Sequence, residues 1–240
     1  MLNFANTSVG IVRKANQDYY YVSEDGILNI LADGMGGYKG GEIASKLATL
    51  SVVDYIEENF DKNKKYEKEE ILEIIKKAME YANSEVYHKA KGTEELEQMG
   101  TTLEVCLIYN NRAFIGHIGD SRVYRIRKGI IRKLTKDHSY VQTLVEDGTI
   151  TKEEAEHHPK KNMLVKALGC EVPVDVDVMV KGFLKDDIIL ICSDGLTNMV
   201  SEEEIFNTIN KDIENATQNL IEKANNNGGL DNITLIILKN

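Results

Sequence analysis

Aspartates that stand beside glycine at the ends of apolar runs are the residues in this sequence best suited to chemistry. Asp33 leaves one apolar run and enters a glycine-rich turn, Asp194 precedes Gly195 after a second run, and Asp231 comes just before a third. Hard divalent cations bind oxygen ligands, and glycine lets backbone carbonyls and phosphate groups come close to an ion. The pattern predicts a cation site that serves a metal-dependent hydrolase.

Two further aspartates and an arginine stand in short polar segments. Asp18 ends a segment that begins at Arg13, and Asp120 lies between Gly119 and Ser121. A single Asp-Gly pair usually marks only a turn. Because these aspartates are far apart in the sequence, only tertiary folding could bring them together, and we interpret the whole set as one site.

Length, composition and charge limit the classes of protein to consider. The chain has 240 residues and no composition break, which predicts a single domain over 1–240. The net charge of −10 is spread along the sequence and argues against a nucleic-acid partner, since that would need a basic face. It also means that local cations must hold an anionic substrate. We expect Cys106, Cys170 and Cys192 to be reduced and buried.

The sequence has no signature of a secreted or membrane protein. The N-terminus lacks a basic stretch followed by an apolar core, and no apolar run approaches the ~18 residues of a membrane span. We therefore expect a soluble, cytoplasmic protein with no membrane segment.

Hydrophobic periodicity predicts an α+β fold. Short apolar runs predict strands at 9–12, 19–23, 27–32, 102–109, 112–118, 122–127, 130–134, 188–192 and 233–238. A helical period predicts helices at 41–60, 69–91, 201–210 and 213–226. Asn110-Asn111 and Lys128-Gly129 favour tight hairpin turns. The continuous apolar strands 188–192 and 233–238 should be covered on both faces, by a second sheet on one side and by helices on the other.

The segment 137–169 is polar and irregular, and we interpret it as a flap over the site. Within it Thr151 and Glu154 have the spacing of a helix capping box, which Ser201 and Glu204 repeat at the start of a later helix.

Six motifs, in order and spanning 8–238, resemble the metal-dependent Ser/Thr protein phosphatases, also called type 2C phosphatases, in their compact bacterial form. The motifs are Arg13-x-x-Asn16-Gln17-Asp18, Asp33-Gly34-Met35-Gly36-Gly37, Gly100-Thr101-Thr102, Gly119-Asp120-Ser121-Arg122, Ser193-Asp194-Gly195-Leu196 and Asp231-Asn232-Ile233-Thr234. The resemblance implies a sandwich of two antiparallel β-sheets flanked by α-helices on both sides, in four αββα layers.

The same resemblance implies roles for the site residues. Asp33 would bridge two Mn²⁺ or Mg²⁺ ions, and the Gly34 carbonyl would bind one of them. Asp194 and Asp231 would complete the shell of the other ion, and Asp18 would act through water. Asp120, together with Asp194, matches the place of a weaker third ion.

Such a site would hydrolyse phosphoserine and phosphothreonine on proteins. Two ions roughly 3.5–4 Å apart lower the pKa of a shared water, so that hydroxide attacks phosphorus without a protein nucleophile. An all-oxygen shell favours Mg²⁺ or Mn²⁺ over Zn²⁺. Arg13 would grip the phosphate with its two-pronged guanidinium. We expect a monomer that acts on phosphorylated proteins and opposes a bacterial Ser/Thr kinase, including the kinase itself and its substrates.

Two positions depart from the pattern of many relatives. Met35 stands where eukaryotic members carry a histidine thought to protonate the leaving oxygen, so that proton must come from water or another group. Gln17 stands where many relatives have a glutamate that contacts a metal through water. We expect His138 to have a surface role, His157-His158 to lie in a solvated loop, and the remaining histidines, His88 and His117, to be structural.

Other functions remain open or fail in detail. A non-catalytic member of the same fold could bind phosphoproteins or sense metal, and a phosphatase for anti-sigma-factor antagonists would share the fold but is disfavoured by the lack of a sensor domain. The dinucleotide fingerprint fails because Lys39 takes its third glycine position. Ser121 and Ser193 do not lie in the Gly-x-Ser-x-Gly motif of serine hydrolases.

Overall fold

The structure, a computed structural model, describes the backbone of residues 1–240 and the side chains except that of Tyr38. The strands are β1 (Leu2–Ser8), β2 (Asp18–Val22), β3 (Leu28–Met35), β4 (Gly100–Thr101), β5 (Leu103–Tyr109), β6 (Arg112–Ile118), β7 (Arg122–Arg127), β8 (Ile130–Lys133), β9 (Asp177–Gly182), β10 (Ile188–Cys192) and β11 (Ile233–Lys239). The α-helices are α1 (Gly37–Asn59), α2 (Lys68–Lys91), α3 (Tyr140–Glu146), α4 (Lys152–Glu156), α5 (Asp194–Thr197), α6 (Glu202–Lys211) and α7 (Ala216–Asn226).

The strands form two antiparallel sheets that pack face to face. One sheet has the order β1-β11-β10-β7-β8, and the other has the order β2-β3-β5-β6-β9 with β4 paired to β3. Their facing surfaces enclose an apolar layer that includes Leu31, Ile115, Val123, Ile191 and Ile236. Helices α1 and α2 cover the outer face of the second sheet, and α6 and α7 cover that of the first. The predicted four-layer αββα arrangement is confirmed.

Strand β10 shows why its apolar run does not alternate. Ile188, Leu190 and Cys192 pack against the helices, whereas Ile189 and Ile191 pack in the layer between the sheets. Every residue of β10 is buried, as expected for a strand that is covered on both faces.

Two strands differ from the prediction. The run 9–12 is not a strand, because Gly10 has a φ of 79° and the next two amides both donate to the Gly229 carbonyl. The N-terminal strand is instead β1, whose polar residues obscured its pairing with β11. Strand β9 was not predicted at all. It is half-buried along its length at the edge of its sheet, so it carries no clear alternation.

The predicted turns and caps are confirmed. Asn110, Asn111, Lys128 and Gly129 all have positive φ, between 48° and 76°, at their two hairpins. Capping boxes begin both α4, at Thr151, and α6, at Ser201. The segment 137–169 contains α3 and α4. A bridge between Ser139 and Leu164 closes the segment on itself, and a bridge between Leu168 and Thr101 pairs it with β4.

The cysteine prediction is correct for two residues and wrong for one. Cys106 and Cys192 are buried free thiols inside strands, but Cys170 is exposed and free. Among the described residues, no helix combines the length and apolar character that a membrane span requires.

Candidate metal centre

A cavity of about 890 Å³ gathers most of the residues that the sequence predicted for the site. Its lining includes Arg13, Asp33, Asp120, Asp194 and Asp231. The sixth predicted side chain, Asp18, is buried and does not line the cavity. The structure therefore brings together side chains that are up to 218 positions apart in the sequence.

Strands β2 and β3 position Asp18 and Asp33 directly opposite each other, because the two residues are partners in the ladder. Thr102 holds Asp33 by accepting a 3.0 Å hydrogen bond from its amide at Oγ1 and by donating its own amide to the Asp33 carbonyl at 2.9 Å. Ser193 Oγ donates to Asp18 Oδ2 at 2.9 Å. These contacts fix the backbone of Asp33 and the carboxylate of Asp18.

Gly34 is required by close packing between the end of β3 and the start of α1. A Cβ at this position would lie 2.1 Å from the carbonyl oxygen of Gly41 and 2.6 Å from that of Gln17. Gly36, with a φ of 114°, then turns the chain into α1. Only glycine allows the helix to pack this tightly against the strand that carries Asp33.

Asp194 and Asp231 come from the ends of the neighbouring strands β10 and β11. Asp194 begins α5, and Asn198 Nδ2 donates to its Oδ2 at 2.9 Å. Asp231 Oδ2 accepts a 2.7 Å hydrogen bond from Nη2 of Arg13, whose side chain is 51% exposed. That ion pair holds the arginine at the rim of the cavity.

Asn232 anchors the loop that carries Arg13. Its Oδ1 accepts from the amide of Gln17, and its Nδ2 donates to the carbonyls of Val9 and Ala15, each at 2.9 Å. The sequence analysis quoted Asn232 within a motif but gave it no role. Because these contacts span more than 200 positions, only the tertiary structure reveals them.

Asp120 lies in the loop between β6 and β7, and a buried histidine holds that loop. His138 Nδ1 accepts a 3.1 Å hydrogen bond from the Gly119 amide, and the His138 amide donates to the Gly119 carbonyl at 2.7 Å. The expected surface role of His138 is wrong, since the residue is 8% exposed and stacks 4.6 Å from His117. His117 is structural as expected and is paired with the buried Glu104.

Arg122 supplies positive charge near the carboxylates. It binds Asp137 through three hydrogen bonds: Nε donates to Oδ1 at 3.2 Å and to Oδ2 at 3.0 Å, and Nη2 donates to Oδ2 at 2.7 Å. Its charge also lowers the pKa values of Asp120 and Asp194, against stronger effects that raise them. The sequence analysis missed this role, although Arg122 stands in the same motif as Asp120.

The electrostatics of the site are those of an excess of negative charge. Burial, followed by the charges of neighbouring aspartates, raises the pKa of Asp194 to about 6 and that of Asp120 to about 8. Burial also raises the pKa of Asp18 to about 7, although hydrogen bonds from Thr234 and Ser193 act to lower that pKa. The pKa of Asp33 is raised well above its usual range by burial and by the charge of Asp18. Asp18 is buried, whereas Asp33, Asp120 and Asp194 keep part of their surface open to the cavity.

These features fit divalent cations. Asp18 Oδ1 is buried without a hydrogen-bond partner among the described atoms, so it presents an unused oxygen. Within the described side chains, no three acidic, histidine or cysteine groups alone surround a single point closely enough to hold an ion. Mg²⁺ commonly takes only one or two carboxylates and completes its shell with water, which suits carboxylates spread around an open cavity.

Comparisons with known proteins agree with this site. A family model described as Protein phosphatase 2C matches residues 11–226. The chain is 37% identical to the serine/threonine phosphatase stp of Listeria monocytogenes over 97% of this chain and 93% of the relative. It is 40% identical to the protein phosphatase PhpP of Streptococcus pneumoniae over 97% and 94% of the two chains.

Solved structures give the same result. The Mycobacterium tuberculosis serine/threonine phosphatase PstP/Ppp superposes with a TM-score of 0.91 at 35% identity, covering 100% of this chain and 99% of that one. A structure of the PstP catalytic domain in complex with two manganese ions has a TM-score of 0.86 at 34% identity, covering 98% and 96%. The chain belongs to the protein phosphatase 2C family, and it is a metal-dependent Ser/Thr phosphatase.

Proposed function

We propose that the cavity lined by Asp33, Asp194 and Asp231 is where this enzyme dephosphorylates phosphoserine and phosphothreonine, and that it thereby opposes a Ser/Thr kinase in a bacterial cytoplasm. The observation that carries the proposal is the convergence of distant aspartates on one cavity with an arginine at its rim. Family membership supports phosphorylated proteins as the substrates.

The carboxylates divide into roles that follow the family pattern. Asp33 would lie between two ions, with the Gly34 carbonyl on one of them and with Asp194 and Asp231 on the other. Asp18 would act through water. When bound, the ions supply positive charge that offsets the phosphate oxygens and makes a water molecule more acidic. The raised pKa values of the carboxyl groups support this assignment. Burial raises these values first and the charges of neighbouring aspartates raise them further, and a bound cation would offset both effects.

Asp120 and Asp194 would share a weaker third ion. The charge of Asp194 is the first cause after burial of the raised pKa of Asp120, so the two carboxylates are close enough to repel each other. Arg122 already supplies part of the compensating charge at both carboxylates, which favours weak binding of an ion here.

Arg13 would bind the substrate phosphate. Among the described residues its hydrogen bond is a single one, from Nη2 to Asp231, which leaves the other N–H groups of the guanidinium for phosphate oxygens. The side chain is half-exposed at the rim, where a phosphorylated residue would enter. Its contact with Asp231 would align the phosphate with the carboxylate cluster.

Proton delivery to the leaving oxygen would fall to water. Met35 lines the cavity at the position where eukaryotic relatives carry histidine, and a thioether has no proton to give. His138 does not offer a replacement, because its Nδ1 accepts a hydrogen bond from the Gly119 amide.

The chain would act as one catalytic domain over 1–240, and its segment 137–169 would form a flap. Residues 162 and 164–167 line the cavity, which supports placing this segment over the substrate. We also propose that the enzyme is a monomer, so light scattering should give a mass near 27.0 kDa.

Turnover of p-nitrophenyl phosphate and of a phosphothreonine peptide tests the function. Both activities should require Mn²⁺, stop with EDTA, and fall by orders of magnitude in Asp33→Asn, whereas Asp54→Asn on the outer face of α1 should keep them. Activity that survives EDTA would exclude the proposed site. Phosphopeptide binding without turnover would favour a non-catalytic member of the fold.

A further inference from the structure

Exposed apolar side chains concentrate around the mouth of the cavity. Ile11, Val12 and Leu230, on one side, are 67%, 60% and 57% exposed. Met163 and Val165, on the segment 137–169, are each 49% exposed. Single exposed apolar residues are common on any protein, but a group of them beside a polar site marks a contact surface.

The first three residues form one surface, which we call the apolar shoulder. The amides of Ile11 and Val12 both donate to the carbonyl of Gly229, at 2.8 and 3.1 Å, so this stretch lies beside Leu230. Val12 lines the cavity and directly precedes Arg13, while Leu230 directly precedes Asp231. The shoulder is thus continuous with the arginine–aspartate pair at the rim.

The other two residues are held in place by backbone hydrogen bonds. The Val165 amide donates to the His138 carbonyl at 2.9 Å, and the Met163 carbonyl accepts from the amide of Tyr140 at 2.8 Å. Val165 lines the cavity as well. Apolar side chains therefore stand on two sides of the same opening, on backbone that is fixed rather than loose.

A polypeptide substrate must cross this opening. An extended chain advances about 3.3 Å per residue, so positions within two or three residues of the phosphorylated one pass roughly 7–10 Å from the phosphate. Those positions would lie over the shoulder or over Met163 and Val165. Apolar side chains there would lose contact with water on both surfaces at once.

We propose that Ile11, Val12 and Leu230, together with Met163 and Val165, dock apolar side chains that flank the phosphorylated residue of a protein substrate. This selectivity rests on the proposed function of the cavity and adds a substrate class to it: phosphoproteins whose modified serine or threonine stands among apolar neighbours. A phosphate on a polar, charged segment is the poorer substrate.

The test compares phosphothreonine peptides that are identical except for the residues next to the phosphate. One peptide carries leucine or valine within two positions on either side, and its partner carries serine there. For the wild-type enzyme with Mn²⁺, kcat/KM for the apolar peptide should exceed that for the serine peptide by about tenfold or more. In the double variant Val12→Thr, Leu230→Asn this ratio should fall toward one.

The variant Ile130→Thr is a matched control. Ile130 is 53% exposed at the start of β8 and does not line the cavity, and the substitution changes polarity while it keeps a β-branched side chain. Its ratio should equal that of the wild type. Circular dichroism of each variant checks that the fold is retained.

Each result has one meaning. A wild-type ratio near one, or a ratio that the double variant leaves unchanged, overturns the docking surface while phosphatase activity still stands. A higher kcat/KM for the serine peptide overturns it equally. If the wild-type enzyme turned over neither the peptides nor p-nitrophenyl phosphate, the proposed function itself would be wrong.

Discussion

Arg13 is the residue that we propose joins the substrate to the carboxylate cluster. Its guanidinium is bound to Asp231 at 2.7 Å and is otherwise half-exposed at the rim. A planar guanidinium binds two phosphate oxygens at once, whereas an ammonium acts as a single point of charge. The residue therefore belongs to capture of the phosphate more than to the chemical step.

Replacing Arg13 should mainly weaken substrate binding. We expect Arg13→Ala to raise KM by about tenfold or more with a smaller fall in kcat, since the lost contact exists before the transition state. Arg13→Lys should recover part of the loss because it restores the charge but not the two-pronged geometry. Steady-state kinetics with p-nitrophenyl phosphate and with a phosphopeptide measure both values. An unchanged KM with both substrates would remove the role assigned to Arg13.

At the residue level, the sequence predicted the aspartates of the candidate site better than it predicted the residues that hold them in position. Asp33, Asp194 and Asp231 stood out as a set, because each lies near glycine at the end of an apolar run, whereas a single Asp-Gly pair usually marks only a turn. Asn232 and His138 did not, because their roles depend on hydrogen bonds to backbone groups more than 200 and 19 positions away, respectively. A polar side chain carries no mark in the sequence of the backbone it will bind.

The loop between β6 and β7 is held in position by a residue that lies outside the loop, His138. Gly119 has a φ of 112° and forms hydrogen bonds to His138 through both its amide and its carbonyl. Burial, followed by the nearby His117, lowers the pKa of His138, so its imidazole is neutral and its Nδ1 can accept. Asp120, the next residue, owes its position to that pair of contacts.

Removing the His138 acceptor should loosen this loop. His138→Ala leaves the buried Gly119 amide without a partner, which costs about 1–3 kcal/mol in the free energy of unfolding. His138→Asn should recover part of that loss, because the Asn Oδ1 can accept where Nδ1 did. Urea unfolding measures the energies, and NMR amide exchange of Gly119 in the metal-free protein should be faster in the alanine variant.

A control keeps that result specific to the loop. His88→Ala, at an exposed position of α2, should change neither the stability nor the exchange rate appreciably. If the alanine and asparagine variants of His138 were equally destabilised, with the same Gly119 exchange, the hydrogen bond would not be what holds Asp120.

Secondary structure could be predicted where one physical signal dominated. The two hairpin turns needed positive φ, and the helices α6 and α4 began with capping boxes, so these features follow from local chemistry. Strand β9 has no such signal because it is half-buried at a sheet edge, and β1 is hidden by its polar residues. Strand β9 pairs with β6, and β1 pairs with β11, and only the tertiary structure shows these pairings.

On the scale of the whole molecule, the sandwich brings together negative charges that the unfolded chain would keep apart. The protein has a net charge of −10, yet the ends of β2, β3, β10 and β11 concentrate buried carboxylates at one cavity. Periodicity predicted that strands would be covered on both faces, but it did not give the order of strands in each sheet. That order decides which strand ends meet, and with it the site.

The concentration of carboxylates should make the metal-free protein less stable as the pH rises. A carboxyl group whose pKa is higher in the folded protein than in the unfolded chain stabilises the fold while it keeps its proton, and this contribution is lost as the pH rises through the folded value. For Asp194, Asp18 and Asp120 those values are about 6, 7 and 8, against 3.8 without perturbation. The melting temperature should therefore fall as the pH rises from about 4 to about 8, the range between the unfolded and the folded values.

Mn²⁺ should reverse that loss, because an ion that binds only the folded protein stabilises it. At 100 times the dissociation constant the gain is about 2.7 kcal/mol, or roughly 5–10 °C in melting temperature for a chain of this size. Asp194→Asn should flatten the pH dependence and shrink the Mn²⁺ effect, while Asp54→Asn, on the outer face of α1, should do neither. Thermal unfolding across pH with EDTA or Mn²⁺ measures all of these effects. A melting temperature that stayed level or rose with pH in EDTA would mean that the carboxylates do not repel one another at a shared site.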